Sequence, residues 1–296
     1  MKLNEIYPHI LDAAHALVPY YDPALVKTGE ELNLDGPESY LLLALPSFDE
    51  GTISAEVLNI RSPYTYEEVY RKRLESMARV GILDPVDEDH YKITERGMRA
   101  FETVRLSTYS AMASVAPLPA KELSKLAELL LLRVNACLAA PEPPGKWSIR
   151  HSHSLDPGPE AAVMVRIDQY LSDLTAYRDD SHLAAWQPNE VDGHTWDVLT
   201  LLWLNGSESI DTVLQKLARR GNPFERTEEA FKTLVRIHWA TYSLDVYTIT
   251  REGREVRLQA EELTDAYFYK PWSGLSEKEL DALVDLLLRY KNGLNS

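Results

Sequence analysis

The side chains best equipped for chemistry are two groups of cations on segments with helical periodicity. Tyr66, Tyr70, Arg71, Lys72 and Arg73 form the first. Arg226 and Lys232, with Lys216, Arg219 and Arg220 on the segment before, form the second. Arginine and lysine spaced along a helix can reach guanine edges and phosphates. The other reading of such a cluster is a solvated helix face. Glu67, Glu68, Glu225, Glu228 and Glu229 crowd the start of the same segments; carboxylates there suit the helix dipole but face phosphates unfavourably. A third concentration is Tyr177-Arg178-Asp179-Asp180-Ser181-His182-Leu183-Ala184-Ala185-Trp186. On one helix, Arg178 can meet an acidic group and Trp186 can stack on a ring, as in a ligand pocket. Equally, Arg178 can pair with an aspartate to satisfy polar groups where two segments meet. His151 and His153 stand two apart, without a Cys or a His-x-x-x-His nearby, so a solvated loop is expected rather than a metal site. There is no Gly-rich phosphate loop and no Gly-x-Ser-x-Gly elbow. No catalytic residue, no metal ligand and no cofactor is therefore expected, and no enzyme; an enzyme with a site between two halves of the chain is the third reading.

These groups sit on a repeated framework. Sliding the chain by 157 residues aligns Ile10 with Ile167, Leu17 with Leu174, Tyr20 with Tyr177, Asp22 with Asp179 and Asp35-Gly36 with Asp192-Gly193. After a one-residue deletion, Tyr91-Lys92-Ile93-Thr94-Glu95-Arg96-Gly97 aligns with Tyr247-Thr248-Ile249-Thr250-Arg251-Glu252-Gly253. Leucines alone would align between any two amphipathic helices. The Tyr-x-Ile-Thr-x-x-Gly and Asp-Gly pairs are chemically specific and fall in the same order, so the reading is an internal duplication. The expected domains are residues 1–139, a Pro-rich linker over 140–157, and residues 158–296.

Periodicity and punctuation place the elements. Copy one opens with a helix over about Leu3–Val18, closed by Pro19 and Pro23; copy two opens with one over about Glu160–Gln187. An Asp-Gly turn precedes a short apolar helix at Tyr40–Leu45 or Trp196–Leu204. A second short helix starts at Ser54 or Ile210. The turns at Ser62-Pro63 and Gly221-Asn222-Pro223 lead to the cation-bearing third helix. A strand over Tyr91–Thr94 returns along Ile82–Asp84, with Asp87–Asp89 as the tip. Helix, turn, helix and hairpin make a winged helix-turn-helix. Leucine-rich helices at Pro119–Leu138 and Ser276–Leu294 end the copies, with apolar stripes too wide for lone surface helices. They are best buried against each other, which predicts a pseudo-twofold molecule. The linker's prolines predict an extended, stiff segment.

The third-helix tail Leu74-x-x-Met77-x-x-Val80-Gly81-Ile82-Leu83, the strand leading into Thr-x-x-Gly, and the terminal Leu-x-x-Lys-Glu-Leu helix together resemble the MarR family of bacterial regulators. The resemblance spans nearly all of each copy. It implies a mainly α fold with small β-hairpin wings, two fused protomers forming a single-chain pseudodimer, and double-stranded DNA as partner. It also implies a small aromatic or amphipathic ligand held between the pairing helices and the winged helix. Tyr20, Tyr21, Tyr177, Arg178, His182, Trp186 and Trp196 are the residues expected in that neighbourhood.

Charge qualifies this expectation. The 296 residues carry a formal net charge of −15, a background that repels phosphates, so any DNA contact must rest on a local basic patch. The wing tip Asp84-Pro85-Val86-Asp87-Glu88-Asp89 is itself acidic. A winged-helix protein that serves as a protein-interaction or ligand-binding module is the alternative. The single cysteine, Cys137, sits among leucines, as a buried apolar side chain would. No apolar run approaches the ~20 residues of a membrane helix, and the polar start of the chain argues against a secretory signal. The expected location is the cytoplasm.

Overall fold

A computed structural model describes residues 5–48 and 52–295. The protein is mainly helical, with two small three-stranded sheets. Helix α1 (Ile6–Glu31) is followed by α2 (Gly36–Ala44), β1 (Thr52–Ser54), α3 (Ala55–Arg61), α4 (Glu67–Arg79), β2 (Leu83–Pro85), β3 (His90–Ile93), α5 (Glu95–Ala113) and α6 (Ala120–Ala139). After α7 (Trp147–His153), the order continues with α8 (Val163–Trp186), α9 (Gly193–Asn205), β4 (Ser207–Glu208), α10 (Ile210–Lys216), α11 (Phe224–Arg236), β5 (Ala240–Ser243), β6 (Val246–Ile249), α12 (Arg251–Tyr269) and α13 (Glu277–Leu294). From α8 onward the element order of α1–α6 recurs. The sheet orders correspond as well, β1-β3-β2 and β4-β6-β5.

Four local expectations change. Helix α1 runs through Pro19 and Pro23 instead of ending there. Both prolines are exposed, so water can take up the carbonyls they leave unbonded, while Leu17 and Leu25 stay buried on the opposite face. The Asp-Gly pairs are helix starts rather than free turns. Asp35 accepts from the Glu38 amide at 2.7 Å, and Asp192 accepts from the Thr195 amide at 2.7 Å, as N-caps do. The segment expected to be extended holds α7, in which His151 stacks on Trp147 at 3.7 Å between ring centroids. A third strand joins each hairpin.

Each wing is followed by a 19-residue helix, α5 or α12, and the Thr-x-x-Gly motif makes both junctions. The Thr94 hydroxyl donates to the Gly81 carbonyl at 2.8 Å and accepts from the Gly97 amide at 2.9 Å. Thr250 does the same with the His238 carbonyl at 2.7 Å and the Gly253 amide at 3.0 Å. One hydroxyl thus ties the end of the third helix to the start of the next.

The chain forms two compact units: residues 1–53, 74–180 and 265–296, and residues 54–73 and 181–264. The first unit is built on a core drawn from both halves of the sequence. Ile6, Ile10 and Leu17 of α1, Leu126, Leu130 and Val134 of α6, Ile167, Leu171 and Leu174 of α8, and Leu283, Leu287 and Tyr290 of α13 are all buried in it. Cys137 is buried there too, and desolvation pushes its thiol up to about 12. In the second unit, Trp186, Trp196, Leu199, Leu202, Phe231 and Leu234 make a separate core.

Candidate functional site

The cations proposed for nucleic acid fall into two classes by their partners. On α4, Arg71 pairs with Glu67 at 2.8 Å and Glu68 at 3.5 Å, and Lys72 with Glu68 at 3.8 Å. On α11, Lys232 pairs with Glu228 at 2.8 Å. These are solvent-facing pairs within one helix, where water and salt screen the attraction and little stability is gained. A phosphate can replace such a carboxylate at little cost. Arg73 lies 5.8 Å from the Tyr70 ring centroid, and Arg219 is exposed.

The second class is structural. Arg220 pairs with Asp197 at 3.1 Å and lies over the Tyr64 ring at 5.1 Å. Arg226 lies over the Tyr66 ring at 5.3 Å. Lys216 bonds to Glu208, whose carboxylate is buried. Releasing these means breaking packing as well as charge.

The two helix-turn-helix turns meet inside the second unit. The Tyr66 amide donates to the Arg220 carbonyl at 2.8 Å, and the Asn222 side-chain amide donates to the Tyr64 carbonyl at 2.9 Å. The Trp186 indole donates to the Tyr64 hydroxyl at 3.0 Å. Glycine allows the close approach. A Cβ on Gly221 would lie 2.4 Å from Val69 Cγ2, and one on Gly193 would lie 2.3 Å from the Pro63 carbonyl oxygen. The N-terminal ends of α4 and α11 therefore lie side by side. Two helices that enter successive major grooves stand about 34 Å apart.

The seven ligand candidates do not share one unit. In the second, Trp186 stacks on Trp196 at 5.3 Å and 13°, and His182 Nδ1 stands 3.3 Å from the Thr264 hydroxyl. In the first, the Arg178 guanidinium donates to Asp265 at 2.6 Å and lies over Tyr7 at 5.0 Å and Phe268 at 5.4 Å. The Tyr177 hydroxyl, also there, donates to the Glu142 carbonyl at 2.8 Å, and Tyr20 donates to the Leu294 carbonyl. Tyr177, Trp186 and Trp196 are almost wholly buried. His153 bonds Asp173 at 2.8 Å, and no group of three metal-ligating side chains occurs among the described residues.

The first unit does contain a cavity, of about 500 Å³, which the sequence did not locate. Helices α1, α2, α5 and α8 and the loop after α7 wall it. Tyr21, Tyr40, Phe101 and Tyr109 supply rings, and Arg105, Glu102, Asp156 and Asp168 supply charge. Of these, only Tyr21 stood in a neighbourhood marked for ligand binding. A signal for Asp168 was present: a lone carboxylate directly after Ile167, in register with Leu11 at the 157-residue offset.

Fold and site together describe a mainly helical protein with two small sheets, consistent with a helix-turn-helix. Residues 161–295 match a helix-turn-helix family, which supports a helix-turn-helix DNA-binding domain over that part of the chain. No curated protein and no solved structure matches the chain. No helix among the described residues is long and apolar enough to cross a membrane.

Proposed function

We propose that the protein is a cytoplasmic, ligand-responsive transcriptional regulator of MarR-like type, in which two fused winged-helix copies act as a single-chain pseudodimer. The observation that carries this reading is the doubled Thr-x-x-Gly junction, with the same hydrogen bonds in each copy, together with a first-unit core shared by α1, α6, α8 and α13. Residues 1–139 and 158–296 are then the copies, and 140–157 connects them. DNA is read as one contiguous, non-palindromic site, since the turns of the two copies touch. Arg71, Lys72 and Arg73, with Tyr66 and Tyr70 beside them, are the principal contacts; Lys232 and Arg219 add to them, and Lys216, Arg220 and Arg226 support the surface.

The test is a binding titration on the gene's own upstream DNA at two salt concentrations, with wild type and Arg71→Ala/Arg73→Ala. Each lost phosphate contact should flatten the salt slope by about one unit, and each lost base contact should cost roughly 1–3 kcal/mol. Equal binding by both proteins removes copy one as the reader.

A second reading is favoured by the turn-to-turn contact itself. Engaging Tyr66, Arg220 and Arg226 in contacts within the junction suits a protein-interaction module that no longer reads DNA. Absence of binding by wild type, with and without ligand, selects this reading.

A further inference from the structure

We infer that the cavity of the first unit is a binding site for an organic ammonium ion, with Asp168 as the counter-ion and tyrosine rings as its wall. The inference gives a chemical class to the ligand of the proposed regulator. It concerns binding alone and stands or falls without DNA.

Arg105, the one cation among the lining residues, is already committed. Its Nε donates to Glu102 at 3.0 Å, and its guanidinium lies over the rings of Phe101 at 5.8 Å and Tyr109 at 5.2 Å. Glu102 and Arg105 cancel, which leaves Asp156 and Asp168 as the surplus. Asp156 accepts from the Gly158 amide at 3.1 Å in the loop after α7. Asp168 differs. Among the described residues, its carboxylate has neither a hydrogen-bond donor nor a cation. Desolvation alone raises it to about 7. The groups that sense its charge are the phenols of Tyr21 on α1, Tyr40 on α2, Tyr109 on α5 and Tyr290 on α13, all held above their ordinary range chiefly by burial. The Tyr40 hydroxyl is directed to Asp22, at 2.7 Å.

A partly desolvated carboxylate without a partner is costly, and proteins satisfy such a group by pairing it. A cavity of this volume suits a small organic molecule. Aromatic walls attract a cation through their ring quadrupoles and resist an anion. A carboxylate or phosphate ligand would meet the unpaired charge of Asp168, while Asp156 is already in the field of His153. A neutral aromatic ligand would leave Asp168 as it is. An ammonium ion carried on an aromatic or alkyl body answers both the charge and the rings. The site is also one-sided: position 11, in register with Asp168, is leucine, and position 178, in register with Tyr21, is arginine.

The experiment is isothermal titration of the full chain with 2-phenylethylamine and 1-naphthylmethylamine, against 3-phenylpropionate and 2-phenylethanol. The amines should bind at least tenfold more tightly than the acid or the alcohol. Asp168→Asn, which keeps the shape, should remove that preference. In wild type, amine affinity should rise roughly tenfold between pH 6 and pH 8 as Asp168 loses its proton, because the amines stay charged throughout, as a lysine does. This profile is read on the native protein, so it decides the matter even if the variant folds poorly. Failure of both amines to bind, equal binding of the acid, a flat pH profile, or undiminished amine binding by a folded Asp168→Asn would each overturn the inference.

Discussion

Replacing Gly97 or Gly253 with alanine should destabilise the protein, although both glycines lie in the first turn of a helix, where alanine is normally the better residue. Neither has a positive φ, so space rather than backbone conformation sets the cost. A Cβ on Gly97 would stand 2.2 Å from the Ile82 carbonyl oxygen and 2.7 Å from Ile93 Cγ1. On Gly253 it would stand 2.4 Å from the Trp239 carbonyl oxygen and 3.1 Å from Ile249 Cγ1. In each case the closest atom is backbone, and it cannot swing aside. Ile82 accepts from the Thr94 amide at 3.1 Å, and Trp239 from the Thr250 amide at 3.0 Å. Relieving the clash means prising the helix from the strand and loosening those bonds.

Overpacking of this kind costs roughly 1–3 kcal/mol, against a gain of about 0.5–1 kcal/mol from removing glycine's freedom in the unfolded chain. The expected net loss is about 1–2 kcal/mol at each site, and similar at the two. Urea denaturation followed by circular dichroism measures it. Gly36→Ala is the control, because no atom lies within 4 Å of a Cβ placed there; it should be neutral or slightly stabilising. If Gly97→Ala proves as stable as Gly36→Ala, the close-approach argument fails. If Gly97→Ala and Gly253→Ala differ widely, the two junctions are not equivalent.

Two histidines should give opposite pH dependences. His153 is raised by its hydrogen bond to Asp173, so its stabilisation is complete below the ordinary imidazole value of about 6.5 and is lost as pH rises through its folded value. His194 is lowered to about 4 by burial, so its contribution is present above about 6.5 and is lost as pH falls toward 4. Imidazole titration by NMR together with stability curves of His153→Gln and His194→Gln checks both, and a His194 that titrates near 6.5 in the folded protein would contradict the second. Lys146 ends α6 with its buried ammonium donating to the carbonyls of Cys137 at 3.1 Å, Leu138 at 2.6 Å and Ala140. Lys146→Met should lower stability by about 1–3 kcal/mol through the carbonyls it strands; an unchanged urea midpoint would show that water replaces it freely.

Local and periodic features were legible in the chain itself. The Thr-x-x-Gly motifs, the strand pairs and the leucine-rich terminal helices depend on residues near in sequence, so type and spacing reveal them. Cys137 lies in the core that its leucine neighbours implied. Prolines misled at Pro19 and Pro23, because their cost in a helix depends on whether water can reach the carbonyls they release. Tertiary structure alone decided the fate of the polar groups. Arg220 and Arg226, alike in sequence to Arg71, became packing residues because Tyr64 and Tyr66, more than 150 positions away, supply the rings they cover. Asp168 reads as one carboxylate among the 46 acidic residues of the chain. Only the folding of α1, α2, α5 and α8 around it sets it, half-buried, in a cavity wall without supplying a partner. A side chain's type is written in the sequence, whereas its desolvation is a property of everything that packs against it.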